Sequence, residues 1–166
     1  MPKQIKKREH TKSEKAGAAL AIAAMILGLF FAAALIAFIP ELETDSRSIQ
    51  LTKAVILACG YCLFVLLAAA SGVFSMFAYR KSHLIGDMIR GFFSFLSAFL
   101  ALLCIRFMLA MFFSGLDKND MVDKVVGDNS YAQFIKDQGA SFACLIIGLS
   151  MMLIIGIISI VKLAKR

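Results

Sequence analysis

Four apolar blocks, each long enough to cross a bilayer as a helix, govern what this chain can fold into. They run over about 16–39, 54–79, 91–115 and 140–161, and a helix needs ~20 apolar residues to span the hydrocarbon core. Irregular backbone could not take their place, because unpaired amides and carbonyls find no water in lipid. Of the 166 residues, 60% are hydrophobic, more than a soluble domain of this size can hide in one core. The expected fold is an all-α integral membrane protein. A basic segment, 1–15, precedes a single four-helix up-down bundle over 16–166. Short connections make successive helices antiparallel neighbours.

Orientation follows from where Lys and Arg gather. Lys3, Lys6, Lys7, Arg8, Lys12 and Lys15 precede the first block; Arg80, Lys81 and Arg90 flank the second connection; Lys162, Lys165 and Arg166 follow the last block. The other two connections carry an excess of acids, among them Glu41, Glu43, Asp45, Asp117, Asp120 and Asp123. Basic and acidic faces alternate in step with the crossings, which places both termini in the cytoplasm of a cell membrane, plasma or bacterial inner. The first block is longer than the ~7–15-residue core of a secretory signal and is read as an uncleaved helix. The net charge of +7 is topogenic on this account. No nucleic-acid reading module accompanies it.

The connections carry local signals. In the outer link at 40–53, Ser46 or Ser48 could cap an extension of the second helix. The inner link near 80–90 has turn residues in Ser82, His83 and Gly86, with Asp87 placed to pair with Arg90. In the 116–139 link, Met121, Val122, Val125 and Val126 recur at helical spacing opposite Asp120, Asp123 and Lys124. A turn at 127–130 precedes a second stripe of Tyr131, Phe134 and Ile135. One or two short amphipathic helices on the outer surface are expected.

Small residues mark where helices can approach closely. Gly17, Ala21, Ala24, Gly28 and Ala32 form one stripe in the first block, and Cys144, Gly148 and Gly156 share a register in the fourth. In the third block Ser94, Ala98, Ala101 and Cys104 line one side, while Phe92, Phe95, Phe99 and Phe113 crowd another.

Two features could carry chemistry. Cys59-Gly60-Tyr61-Cys62 resembles the active-site motif of thioredoxin-type proteins. Four-helix membrane thiol oxidoreductases of the disulfide-bond-forming and vitamin K epoxide reductase types use such a pair near the outer face. The resemblance implies a thiol–disulfide exchange site at Cys59 and Cys62. The further loop cysteines of those families have no counterpart, since Cys104 and Cys144 lie inside helices. Nor is a helix N-terminus or cation nearby to stabilise a thiolate, so packing is the simpler role.

The second feature is Arg106, the sole charge inside any block and a functional candidate for that reason. It lies about 13 Å from the outer end by helical rise, with Phe95, Phe99 and Phe113 on its side. Snorkelling or carbonyl bonding, pairing with another subunit's acid or a lipid headgroup, and contact with a substrate, quinone or ion are its alternatives. No cofactor or metal site is legible.

The function expected is that of a non-catalytic subunit, scaffold or assembly partner of a larger membrane complex, hetero- or homo-oligomeric, with the lipid bilayer as its medium. A thiol oxidoreductase using Cys59 and Cys62, and a small-solute or lipid-handling protein with Arg106 in its cavity, are the alternatives. Every unusual residue falls in the outer half of the bundle, where a site is expected; the inner half reads as basic flanks alone.

Overall fold

The computed structural model describes residues 12–38, 47–116, 119–127 and 131–164. The basic residues before Lys12, the acidic 39–46 link with Ser46, the turn residues 128–130, and Lys165 and Arg166 lie outside them. So do the side chains of Tyr131 and Ile135.

The described chain is helical. Its elements are α1 (Lys12–Phe38), α2 (Arg47–Ser82), α3 (Ile85–Leu102), α4 (Ile105–Gly115), α5 (Asn119–Val126), α6 (Tyr131–Asp137) and α7 (Gly139–Ala164). Stretches of α1, α2, α3 and α7 are each long and apolar enough to cross a membrane. They form a four-cornered bundle, with α1 packed on α2 and α7, and α3 packed on the same two. The start of α1, the end of α2, the start of α3 and the end of α7 meet at one end, the proximal end. Large apolar side chains, such as Phe30, Ile36, Leu66, Phe92, Phe99 and Ile146, stand exposed around the perimeter, as a lipid-facing surface requires.

The helices outrun their apolar blocks. α2 is 36 residues long, or ~54 Å at 1.5 Å per residue, far more than the ~30 Å hydrocarbon layer. It begins seven residues before the second block. At its far end only His83 and Leu84 separate it from α3. His83 takes a left-handed φ of 51°, which reverses the chain at a helix C-terminus. The Ser82 hydroxyl accepts the Leu84 N–H at 3.3 Å, satisfying one of the donors that a helix start leaves open.

The third crossing differs from the expected continuous helix over 91–115. It breaks at Leu103–Cys104 into α3 and α4. The Cys104 N–H bonds to Ala101 O at 3.0 Å, a one-residue tightening, and the regular pattern resumes with Met108 N–H to Cys104 O. Neither proline nor glycine is involved. The buried Tyr61 hydroxyl of α2 donates to the same Ala101 carbonyl at 2.9 Å, so side-chain insertion into the ladder accounts for the break.

Close backbone approach occurs where the small stripes meet. Ser97 of α3 donates to Gly148 O of α7 at 2.7 Å. A Cβ on Gly148 would stand 2.9 Å from the Ser97 carbonyl oxygen. Gly148→Ala should therefore destabilise by about 1–3 kcal/mol through overpacking, and Tyr61→Phe by about 1 kcal/mol through one lost buried hydrogen bond. Thermal unfolding in a fixed detergent measures both.

Candidate functional site

The densest polar constellation in the described structure lies at the proximal end. α3 presents one continuous inner stripe of Asp87, Arg90, Ser94, Ser97 and Ala101, all buried, at the three- and four-residue steps that share a helix face. Asp87 is fully buried. Its Oδ1 receives Arg90 Nη2 at 3.2 Å and Lys162 Nζ of α7 at 3.0 Å, and its Oδ2 accepts the Ser82 hydroxyl at 3.1 Å. Lys162 also reaches Glu14 of α1 at 2.6 Å. Arg90 Nε donates to Ser75 of α2 at 2.9 Å, and Nη2 to the Glu14 carbonyl at 3.5 Å.

One network thus ties all four crossings together. Among the described residues two carboxylates face two cations, so each buried charge has an opposite partner, as burial demands. Asp87 sits in the first turn of α3, where the helix dipole favours an anion, and Lys162 sits in the last turn of α7, where it favours a cation.

Below this clasp the interior stays polar for another turn or two. The Ser71 hydroxyl donates to Gly17 O at 3.1 Å and lies 3.4 Å from that of Ser94. Ser159, one turn before Lys162, is fully buried, and its hydroxyl has no hydrogen-bond partner among the described residues. Gly17 is the point of closest passage. A Cβ there would meet the Ser75 hydroxyl at 2.9 Å and Arg90 at 3.4 Å.

No known family model, curated protein or solved structure matches the chain. The site has to be read from its own geometry.

The placement of polar burial differs from the outer-half expectation. Glu14, Asp87, Arg90 and Lys162 fall just outside the apolar blocks and read as flank charges. The helices continue past those blocks and stay packed, so the flanks become interior. Two signals in the sequence pointed there. Glu14 and Asp87 are, with Glu9, the acids on faces otherwise basic, and Ser71, Ser75, Ser94, Ser97 and Ser159 recur inside apolar runs.

At the distal end, Arg106 of α4 is exposed. Its Nη2 donates to Val125 O at 2.8 Å, in the last turn of α5, and its guanidinium lies 5.8 Å from the centre of the Phe134 ring of α6. A cation at a helix C-terminus is favoured by the dipole. Arg106 is thereby a fastener for α5 and α6, whose Val126 and Phe134 are buried in the core cluster. The break at Leu103–Cys104 separates Arg106 and Phe113 on α4 from Phe95 and Phe99 on α3. The Phe95 ring lies against Gly72, Phe99 is exposed and Phe113 half-buried.

Of the small residues, Gly17, Ala21, Ala24 and Gly28 are buried and Ala32 is half-buried. Gly28 abuts Phe64 and Leu149, and Gly156 abuts Met25. Cys59 and Cys62 are free thiols, both exposed. They line a groove of about 430 Å3 between α2 and α4 with Tyr61, Ile105, Met108 and Phe112. Among the described residues no charged side chain lines that groove to stabilise a thiolate. Among the described residues, no cluster of His, Cys, Asp and Glu could hold a metal ion.

Removing one partner from the clasp leaves another charge buried and unpaired. Asp87→Ala should cost about 3–5 kcal/mol, whereas Ser159→Ala, which deletes an unsatisfied hydroxyl, should be neutral or stabilising. Arg106→Ala should leave global stability within about 1 kcal/mol while raising amide hydrogen exchange selectively in α5 and α6.

Proposed function

We propose that the chain is a non-catalytic multi-pass membrane protein, acting as a subunit or assembly partner of a larger membrane complex. One observation carries this reading: the buried polar contacts hold helix to helix, while the perimeter offers apolar grooves. The groove of α2 and α4 is one. Another, of about 350 Å3, lies between α1 and α7 and is lined by Ala32, Leu35, Ile36, Phe142 and Leu145. Such grooves receive side chains of other membrane helices. Membrane helices associate through packing of this kind rather than through water-driven burial. On this reading both termini face the cytoplasm, and Arg106, Phe99 and α5–α6 form the outer contact surface.

The exposure of Cys59 and Cys62 in one groove, a helical turn apart, favours a second reading: a thiol–disulfide exchange protein of the membrane. Differential thiol labelling of the membrane-embedded protein separates the two. The assembly reading expects both cysteines always reduced, and an oxidised pair would replace it.

Native mass spectrometry of the gently extracted protein should find a complex of fixed stoichiometry, either with another membrane protein or with further copies. A well-behaved lone monomer would overturn the assembly reading. In a background with all four cysteines replaced by alanine, Lys15→Cys should react with a membrane-impermeant maleimide only from the cytoplasmic face, and Ser114→Cys only from the opposite face.

A further inference from the structure

The cations of the clasp are not fully spent on it. Arg90 uses Nε and Nη2 on Ser75, Asp87 and the Glu14 carbonyl. Its other terminal nitrogen, Nη1, has no hydrogen bond within the described chain. A guanidinium carries five N–H donors, two of them on each terminal nitrogen. Lys162 has three donors; two serve Glu14 and Asp87, and the side chain is 31% exposed.

Arg90 lines a crevice of about 270 Å3 between α3 and α7, where Gly86, Ile89, Phe93, Ile155 and Ile158 are among its neighbours. Arg90 is the one polar side chain among the described residues of that lining. A second groove, of about 370 Å3, shares Ile158 and ends at Lys162. Together they make an apolar track along α7 with a cation on each side of its proximal end. Gly86 leaves that end open, since a Cβ there would meet nothing within 4 Å.

Among the described residues, Lys12, Lys15, Arg80 and Lys81 are exposed at the proximal end, whereas Glu14 and Asp87, the acids of that end, are buried. An apolar track lined by the buried Arg90 and ending at the part-exposed Lys162, with a cationic rim, matches an amphiphile with an anionic head. The crevice is smaller than the ~300–1,000 Å3 pockets that enclose drug-sized ligands. It is too slight to seat a helix.

We propose that the α3–α7 crevice holds an acyl chain of an anionic phospholipid, whose phosphate is met by Arg90 Nη1 and the spare N–H of Lys162. The lipid would cover donors that the clasp leaves open, and it would bind as a specific component rather than as bulk solvent.

Native mass spectrometry of the full chain, titrated with phosphatidylglycerol or phosphatidylcholine of identical acyl chains, tests this. Phosphatidylglycerol should bind at least about fivefold more tightly, the worth of one favourable cation contact. Arg90 substitutions are unsuitable because they break the clasp. Gly86→Phe and Ile158→Trp fill the track from open or lipid-facing positions, and each should abolish the preference while leaving the thermal midpoint unchanged. Equal binding of the two lipids overturns the proposal. So does a preference that survives both filling variants and disappears only when Lys12, Lys15, Arg80 and Lys81 are replaced by Gln, since surface charge alone would then explain it.

Discussion

The bridge that Lys162 makes between Glu14 and Asp87 is the interaction on which the rest of the proximal architecture depends. In a lipid-embedded bundle, apolar side chains gain little by facing each other rather than lipid. Register between helices must come from somewhere else. Here one ammonium from α7 holds carboxylates of α1 and α3, and Arg90 extends the tie to Ser75 of α2. The interhelical bonds deeper in, Ser71 to Gly17 and Ser97 to Gly148, fall into place once that register is set. Glycine at those passages lets the backbones come close enough for a short serine side chain to reach across.

The distal half is organised differently. Beyond the break at Leu103–Cys104 the interior is apolar and aromatic, with Phe31, Phe107, Met108 and Met111 buried and Phe107 edge-on to Phe142 at 4.5 Å between centroids. The fastening is peripheral: Arg106 grips the last turn of α5 and lies near Phe134 of α6. A charge that looked stranded in lipid turns out to hold a cap of two short helices onto the bundle. One end is thus fixed by a buried neutral network and the other by an exposed cation at a helix terminus.

Much of the fold was legible because bilayer physics leaves few choices. Four apolar blocks had to be helices, and the three- and four-residue steps of Gly17, Ala21, Ala24 and Gly28 marked a face that could be approached closely. What could not be read was where each helix stops being packed. Hydropathy ends a span at its last apolar residue, but α3 starts at Ile85, six residues before Gly91, and takes Asp87 and Arg90 into the interior. The break in the third crossing was equally silent, since it depends on Tyr61, forty residues earlier, reaching Ala101 O. The partners of Arg106 lie nineteen and twenty-eight residues further on, in a link whose folding back onto α4 no local pattern announces.

The clasp also imposes an order on biogenesis. Glu14 lies at the start of the first crossing and Lys162 at the end of the last, so their contact cannot form until the fourth helix has been made and inserted. Without α7, Asp87 keeps Arg90 and Ser82 but loses the Lys162 ammonium, and α1 loses the tie from Glu14 to Lys162. Insertion of α7 is thereby coupled to closure of the clasp.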